Sequence, residues 1–299
     1  MIDELKSFIK VVENQNFTKA AKKLNLSQPA VSMHIAGLEQ QLNTTLILRS
    51  NKQKNFLLTP DGKLLYQRAK KVVHLYDEMI SEIKSQRETV QGTLKIGASL
   101  TIGEYLLPQI LAYLSKLYPE LTFEVTIENS HAIMKKVDQL ELEIGLIETE
   151  ELLLNLNRQS FYCDRLQIAY SEALTLPPKP EKYRQFFCQQ TWLLREMGSG
   201  TRAMTDFFLE QFHILPKNQV VLGSNYLIKE TLRQQPSMTF ISTLMQKQEF
   251  KGISYLDDQT YELQRLFYYV TKEGVVLSKR VQGMINVLDE LSQIISQSY

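Results

Sequence analysis

The chain has 299 residues, 43% apolar and 22% charged, which is too long for one comfortable core and too apolar for whole-chain disorder. Lys plus Arg (34) nearly cancels Asp plus Glu (33), but residues 1–91 hold 14 basic and 9 acidic groups while residues 92–299 hold 20 and 24. A basic head on an acidic body is the division expected when only one end meets a polyanion.

Leu5, Phe8, Ile9 and Val12 recur at three- and four-residue spacing, which predicts a first helix with one apolar face. Asn14 to Asn16 break it, Thr18 is expected to cap a short second helix carrying Ala20, Ala21 and Leu24, and Asn25-Leu26 supplies a tight turn. Ser27 then caps a third helix with Pro29 in its first turn, where a missing N–H costs nothing. Its buried face is Ala30, Val31, Ile35, Leu38 and Leu42. Residues 46–59 mix β-formers with a polar tip and predict a small hairpin. From Pro60 to about Glu88, Leu65, Ala69, Val72, Tyr76, Met79 and Ile83 step by 4, 3, 4, 3, 4, a heptad seam flanked by charge that fits helix pairing.

After Gly92 strands and helices alternate, which implies an α/β sheet. Strands are expected at 93–98, 122–127, 142–147 and 266–270, helices at 103–117 and 131–139, and a further αβ set from Leu166 to about Ile253. An amphipathic helix over 278–295 closes the chain.

Two short helices joined by a tight turn, the second capped and carrying small polar residues, form a helix-turn-helix signature. Ser27, Gln28, Ser32 and His34 offer short donors and acceptors to base edges, with Gln28 able to pair bidentately with an adenine. Pro29 and Met33 supply apolar contacts, for instance to a thymine methyl. Arg49, Lys52 and Lys54 in the expected wing would lie near phosphates, which set register and salt dependence rather than base preference.

The run FTKAAKKLNLSQPAVSMHIAGLEQQL (residues 17–42), followed by LTPDGKLL (58–65), resembles the winged helix-turn-helix and linker of the LysR-type transcriptional regulators. The resemblance covers the full length. It implies an N-terminal all-α winged helix-turn-helix with a long linker helix, then an α/β two-lobed periplasmic-binding-protein-like effector domain. The expected divisions are 1–59, 60–91 and 92–299, with lobe one at 92–162 and 265–299 and lobe two at 163–264. Carried over by position, the DNA contacts are Thr18, Ser27, Gln28, Pro29, Ser32, His34 and Arg49. Asn43 departs from a usual glycine, and Met33 and His34 occupy a variable pair, so base preference does not transfer.

In the effector domain, strand-to-helix turns attract polar ligands through helix N-termini. Three stand out: the turn with Ser99 and Thr101, the one with Ser130, and the glycine-rich turn Gly198–Arg202 with Thr201 and Arg202. Glu148, at the end of the third strand, would oppose a simple anion unless paired, with Arg202 as the candidate partner; it points either to a zwitterionic or polar neutral ligand or to a Glu148 that faces solvent. GASLTIGEYLLP (97–108) resembles the branch of sulfur-assimilation and carbon-fixation regulators.

An enzyme would need a nucleophile with a base, a metal set or a phosphate loop. The four histidines stand singly, GSG at 198–200 lacks the nucleophile-elbow pattern, and no P-loop occurs. No catalytic residue, metal or cofactor is therefore expected. A solute-binding or enzymatic α/β domain, the alternative, accounts for the body but not the head. Two cysteines, Cys163 and Cys188, make no disulfide framework, MIDELKSFIK lacks a secretory apolar run, and no stretch suits a membrane span, so a cytoplasmic location is expected. The expected partners are double-stranded promoter DNA, a small-molecule effector, a second copy in a homodimer or homotetramer, and RNA polymerase.

Overall fold

The computed structural model describes residues 1–49, 56–84, 90–153, 155–247 and 251–296, in two compact units, Met1–Glu88 and Thr89–Tyr299. In the first, α1 (Ile2–Asn14), α2 (Phe17–Lys23) and α3 (Gln28–Leu42) precede an antiparallel hairpin of β1 (Ile47–Arg49) and β2 (Phe56–Leu58). α4 (Pro60–Lys84) follows. Phe8 and Val11 of α1, Ala20 of α2 and Val31, Ile35 and Leu38 of α3 are buried together with Leu46 and Ala69.

The local chemistry explains the turns. Asn16, not Thr18, caps α2: its extended backbone aims the side-chain oxygen at the Lys19 N–H, 2.9 Å away, so Thr18 falls inside the first turn. Ser27 caps α3 by accepting from the Ala30 N–H at 3.3 Å. Asn25 (φ 54°) and Asn43 (φ 49°) take the left-handed conformation at helix ends, a geometry asparagine tolerates better than most side chains. In α4, Ala69 faces the head core, whereas Val72, Tyr76 and Met79 of the same seam are exposed in the single chain.

Among the described residues the second unit is built on one nine-stranded sheet of order β4-β3-β5-β11-β6-β9-β7-β8, with β10 (Ile253–Tyr255) paired to β6. β3 (Gly92–Ala98), β4 (Leu121–Ile127) and β5 (Ile144–Ile147) run parallel in one lobe. β7 (Thr191–Arg195), β8 (Asn218–Leu222) and β9 (Met238–Ser242) run parallel in the other. The long strands β6 (Leu156–Ser171) and β11 (Leu263–Lys272) pair antiparallel and carry the chain between lobes. Their register slips at Phe267/Tyr268, where Phe161 is left unpaired and the ribbon can bend.

Helices α5 (Leu100–Tyr105), α6 (Leu107–Leu117), α7 (Ser130–Asp138) and α11 (Lys279–Ser296) flank the first lobe. The single helix expected over 103–117 is broken at Leu106, because Pro108 cannot donate to the Glu104 carbonyl and its ring crowds it. α8 (Tyr183–Cys188), α9 (Gly200–Gln211) and α10 (Asn225–Gln234) flank the second lobe, whose core is aromatic, with Phe187, Trp192, Phe208 and Phe240 buried together. Among the described residues no helix is long and apolar enough to cross a membrane.

Candidate DNA-reading face and effector cleft

α3 buries Val31, Ile35 and Leu38, so its opposite side is open: Pro29, Met33 and Ala36 are exposed there beside half-buried Ser32, and Gln28, in line with Ile35, is exposed because it opens the helix. Gln28 Nε2 donates to Ser32 Oγ at 2.9 Å, which orients the amide and leaves its oxygen and second N–H for an outside partner. Thr18 is exposed in the first turn of α2, and Ser27 is exposed but spends its hydroxyl oxygen on the cap. His34 is held differently: its Nδ1 lies 2.7 Å from the hydroxyl of the fully buried Ser7, tying the ring to α1. Arg49 has its backbone in β1, while Lys52 and Lys54 lie outside the described residues.

Glu39, the one carboxylate of α3, points away from this face. Its Oε1 accepts from the N–H groups of Leu46 and Ile47 at 2.8 and 3.2 Å and so anchors the start of the hairpin.

The second unit gathers polar side chains where its two lobes meet. Ser99, Thr101, Ser130, Glu148 and Thr201 are all buried there. Ser130 Oγ accepts from the Glu148 N–H at 3.3 Å, and Thr101 Oγ1 of one lobe sits 3.4 Å from Thr201 Oγ1 of the other. Ser99 starts α5, and its buried hydroxyl has no hydrogen-bond partner among the described residues.

Glu148 does not pair with Arg202. Its Oε2 lies 2.7 Å from Nη2 of Arg265, a residue on β11, and the same guanidinium faces Asp164 of β6 at 2.9 Å. Arg265 Nη1 donates to Thr201 Oγ1 at 3.0 Å, and Ser242 Oγ donates to Asp164 Oδ1 at 2.6 Å. Nη2 touches both carboxylates at angles too poor for an aligned hydrogen bond, so its two close contacts are ion pairs only. Arg265 is 6%, Glu148 3% and Asp164 1% exposed. Burial pushes the Asp164 carboxyl above its ordinary range, with Arg265 and Ser242 only partly offsetting it. Arg202 instead grips Asp206 at 2.9 Å and the Arg195 carbonyl at 3.0 Å, because its place one turn into α9 aims it along that helix.

A second group of contacts also joins the two lobes. Arg195 is buried and forks onto both oxygens of Glu196 at 2.9 Å, while its Nη1 donates to Asn225. Asn225 donates in turn to Glu104 of the opposite lobe at 3.1 Å. Asn129 donates to Glu196 at 3.4 Å, and the His131 N–H reaches the Gly198 carbonyl at 3.3 Å. Burial pushes Glu196 up, but the Arg195 hydrogen bonds and charge outweigh it and hold the carboxyl below its usual range. Lys229 donates to the Tyr105 hydroxyl at 2.7 Å, and burial lowers the ammonium while raising the phenol. Gly200 lets the lobes meet, since a Cβ there would lie 2.3 Å from the Glu148 carbonyl oxygen.

Sequence reasoning missed Arg265, Asp164 and Arg195. Their signal was a charged residue in two-residue step with inward apolar positions of its strand (Asp164 with Leu166 and Ile168, Arg265 with Phe267, Arg195 with Leu193), a placement that nearly always requires a buried partner. Among the described residues, no three His, Cys, Asp or Glu side chains are grouped to hold a metal ion.

Comparison with known proteins places this architecture. Residues 2–63 match the bacterial regulatory helix-turn-helix proteins of the lysR family, and residues 87–293 match the LysR substrate binding domain. The chain is similar to the HTH-type transcriptional regulator CysL of Bacillus subtilis, 40% identical over 288 residues that cover 96% of each protein. A full-length OxyR from Pseudomonas aeruginosa superposes with a TM-score of 0.75 at 18% identity, over 98% of this chain and 95% of that one. Full-length CbnR in complex with its target DNA superposes with a TM-score of 0.67 at 15% identity, over 97% and 99%.

Proposed function

The chain belongs to the LysR family of bacterial helix-turn-helix regulators, and from that premise we propose how its residues divide the work. It is a DNA-binding transcriptional regulator with an effector-binding domain, and not an enzyme. In this reading residues 1–59 bind promoter DNA, 60–91 pair two copies, and 92–299 bind the effector, with the chain crossing between lobes near residues 162 and 265. α3 enters the major groove, where Gln28 and Ser32 meet base edges and Pro29 packs on them. Thr18, Ser27 and Arg49 meet the backbone, joined by Lys52 and Lys54 on the strength of sequence alone. His34 acts through Ser7 by fixing α3 on α1.

The exposed Val72, Tyr76 and Met79 of α4 support pairing of two copies along that helix, and the dimer is expected to assemble further into a tetramer. Such a pair fits a roughly palindromic site.

The effector reading rests on one observation above the others: Thr101 and Thr201 meet across the cleft directly beside the buried Arg265 cluster. A small molecule seated among Ser99, Thr101, Ser130, Glu148, Thr201 and Arg202 would replace these contacts. It would bias two arrangements of the paired heads and so change access for RNA polymerase. Arg195, Arg202 and Arg265 each already face a carboxylate, and Arg265 faces two. A plain anion would have to displace one of them, which favours a polar neutral or zwitterionic effector. The motif at 97–108 supports a metabolite of sulfur or carbon assimilation.

Thermal unfolding across a panel of such metabolites tests the cleft. A binder at a hundred times its Kd adds about 2.7 kcal/mol and raises Tm by several degrees. The shift is expected in the natural protein and lost in Thr201→Ala; an equal shift in both would remove the cleft assignment. On the DNA side, Gln28→Ala should weaken the specific site by about 1–3 kcal/mol in a mobility-shift titration.

A further inference from the structure

We propose that Met33, backed by Ala36 one turn on, reads the 5-methyl group of a thymine, so that this regulator selects its half-site by methyl contact rather than by a cationic grip on guanine. The inference rests on the reading above that α3 lies in the major groove.

Three observations carry it. First, Met33 is 73% exposed, among the most exposed large apolar side chains of the protein, and it lies roughly opposite the buried line of Val31, Ile35 and Leu38. A long apolar side chain left bare on the face that meets DNA has an unmet partner there, and Ala36 beside it is exposed as well. Second, α3 holds no Lys or Arg anywhere between Gln28 and Leu42. The bidentate grip on the guanine O6 and N7 atoms, the commonest base-specific contact, therefore has no donor on this helix. Third, of the two titratable side chains that α3 carries, Glu39 is committed to the Leu46 and Ile47 N–H groups, and half-buried His34 is tied through Nδ1 to the buried Ser7.

What remains on the face is neutral. Gln28, oriented by Ser32, suits an adenine, and Met33 with Ala36 suits the apolar methyl that only thymine presents in the major groove. The positive charge that brings DNA to the head comes from elsewhere, including Lys19, Lys22 and Lys23 on α2, and it carries no base information. Affinity and base choice thus fall to different elements, and the choice made on α3 is for A·T pairs.

The test uses the full-length protein and a site enriched from a random-sequence duplex pool. Each thymine of one half-site is then replaced singly by uracil, which removes only the methyl group. The natural protein should bind about fourfold more weakly at one such position, the factor expected for one buried carbon. Met33→Ala should bind the thymine and uracil duplexes equally, and Met33→Leu should keep the preference. A repeat enrichment with Met33→Arg should move that position toward guanine. Because Met33 is exposed, these variants should keep the parent's thermal unfolding curve, so lost discrimination would not reflect misfolding. Equal binding of thymine and uracil at every position by the natural protein would overturn the proposal, as would undiminished discrimination in Met33→Ala. Failure of any site to enrich, or indifference of an enriched site to Gln28→Ala, would overturn the groove reading itself.

Discussion

The reading face of α3 and the cleft of the effector unit handle polarity in opposite ways. On α3 the reading groups are uncharged, and the contacts that complete them come from an outside partner. In the cleft they are charged and buried, and they complete one another: Arg265 is held by Glu148, Asp164 and Thr201, and Arg195 by Glu196 and Asn225. An open neutral face loses little when a side chain is removed, because water replaces it. A buried ionic cluster loses much, because whatever stays behind has neither water nor a counter-charge. The face can therefore vary to suit a new operator at small cost in stability, while the cleft is rigidly specified.

The sharpest way to break this contrast is Arg265→Met. It would strand two buried carboxylates and should destabilise the effector unit by about 3–5 kcal/mol, the usual cost of removing one partner from a buried pair. Urea unfolding would report it, against a change within about 0.5 kcal/mol for Met33→Ala on the open face. If the two variants lost similar amounts, the cluster would not be the ionic core that its geometry describes.

Gly200→Ala comes next. The added methyl would meet the Glu148 carbonyl at 2.3 Å, and that neighbour is backbone rather than a side chain able to turn away. Overpacking of this kind costs about 1–3 kcal/mol. The lobes must part to accept it, so the contacts at Thr101–Thr201 and His131–Gly198 should loosen and amide exchange in α7 and α9 should quicken. Gly62 offers the matching probe in the head, where a Cβ would lie 2.2 Å from the Leu46 carbonyl, and its effect should stay within the wing and the start of α4.

These residues also mark what the sequence could and could not reveal. Ser27, Pro29 and Asn25 shape α3 through rules that act over three or four positions, so the helix-turn-helix and its open face were readable directly. Asn16 was missed by two residues because Asn16 and Thr18 both suit a cap, and only the backbone angle decides between them. The Arg265–Asp164 pair spans 101 positions and exists because β6 and β11 lie side by side, a register that periodicity does not encode. The sequence shows that Glu148 needs a cation but not which one: Arg202 stands in an expected turn, whereas Arg265 reaches Glu148 only through the packing of β11 beside β5 and β6. Long-range pairing of charges was the illegible part, and charged residues in step with the inward apolar positions of their strands were its trace.

Acidity separates the two regions in a subtler way. Burial raises the Asp164 carboxyl in the folded protein, so the group favours folding when protonated, and that contribution fades as pH rises through its folded value. Asp164→Asn fixes the neutral form and leaves Arg265 with Glu148 alone. The variant should match the natural protein near pH 4 and overtake it in stability as pH increases, an effect visible as diverging Tm curves. A natural protein that gained stability over the Asn variant with rising pH would mean that Arg265 outweighs burial at this carboxylate.

The smallest expected effect lies at the end of α3. Asn43 holds the left-handed conformation at φ 49° and receives the closing turn, its N–H bonding back to the Gln40 carbonyl at 3.3 Å. Asn43→Gly would remove the steric cost of that conformation while adding freedom to the unfolded chain, two terms of opposite sign and similar size. The balance should favour glycine by a few tenths of a kcal/mol, measurable as a small rise in the urea midpoint of the head. DNA affinity should not change, because Asn43 closes the helix away from the base-reading residues of its first turns. A measurable fall in affinity would mean that the wing, reached through Asn43, sets the depth of α3 in the groove, and that the open face depends on buried scaffolding more than its exposure implies.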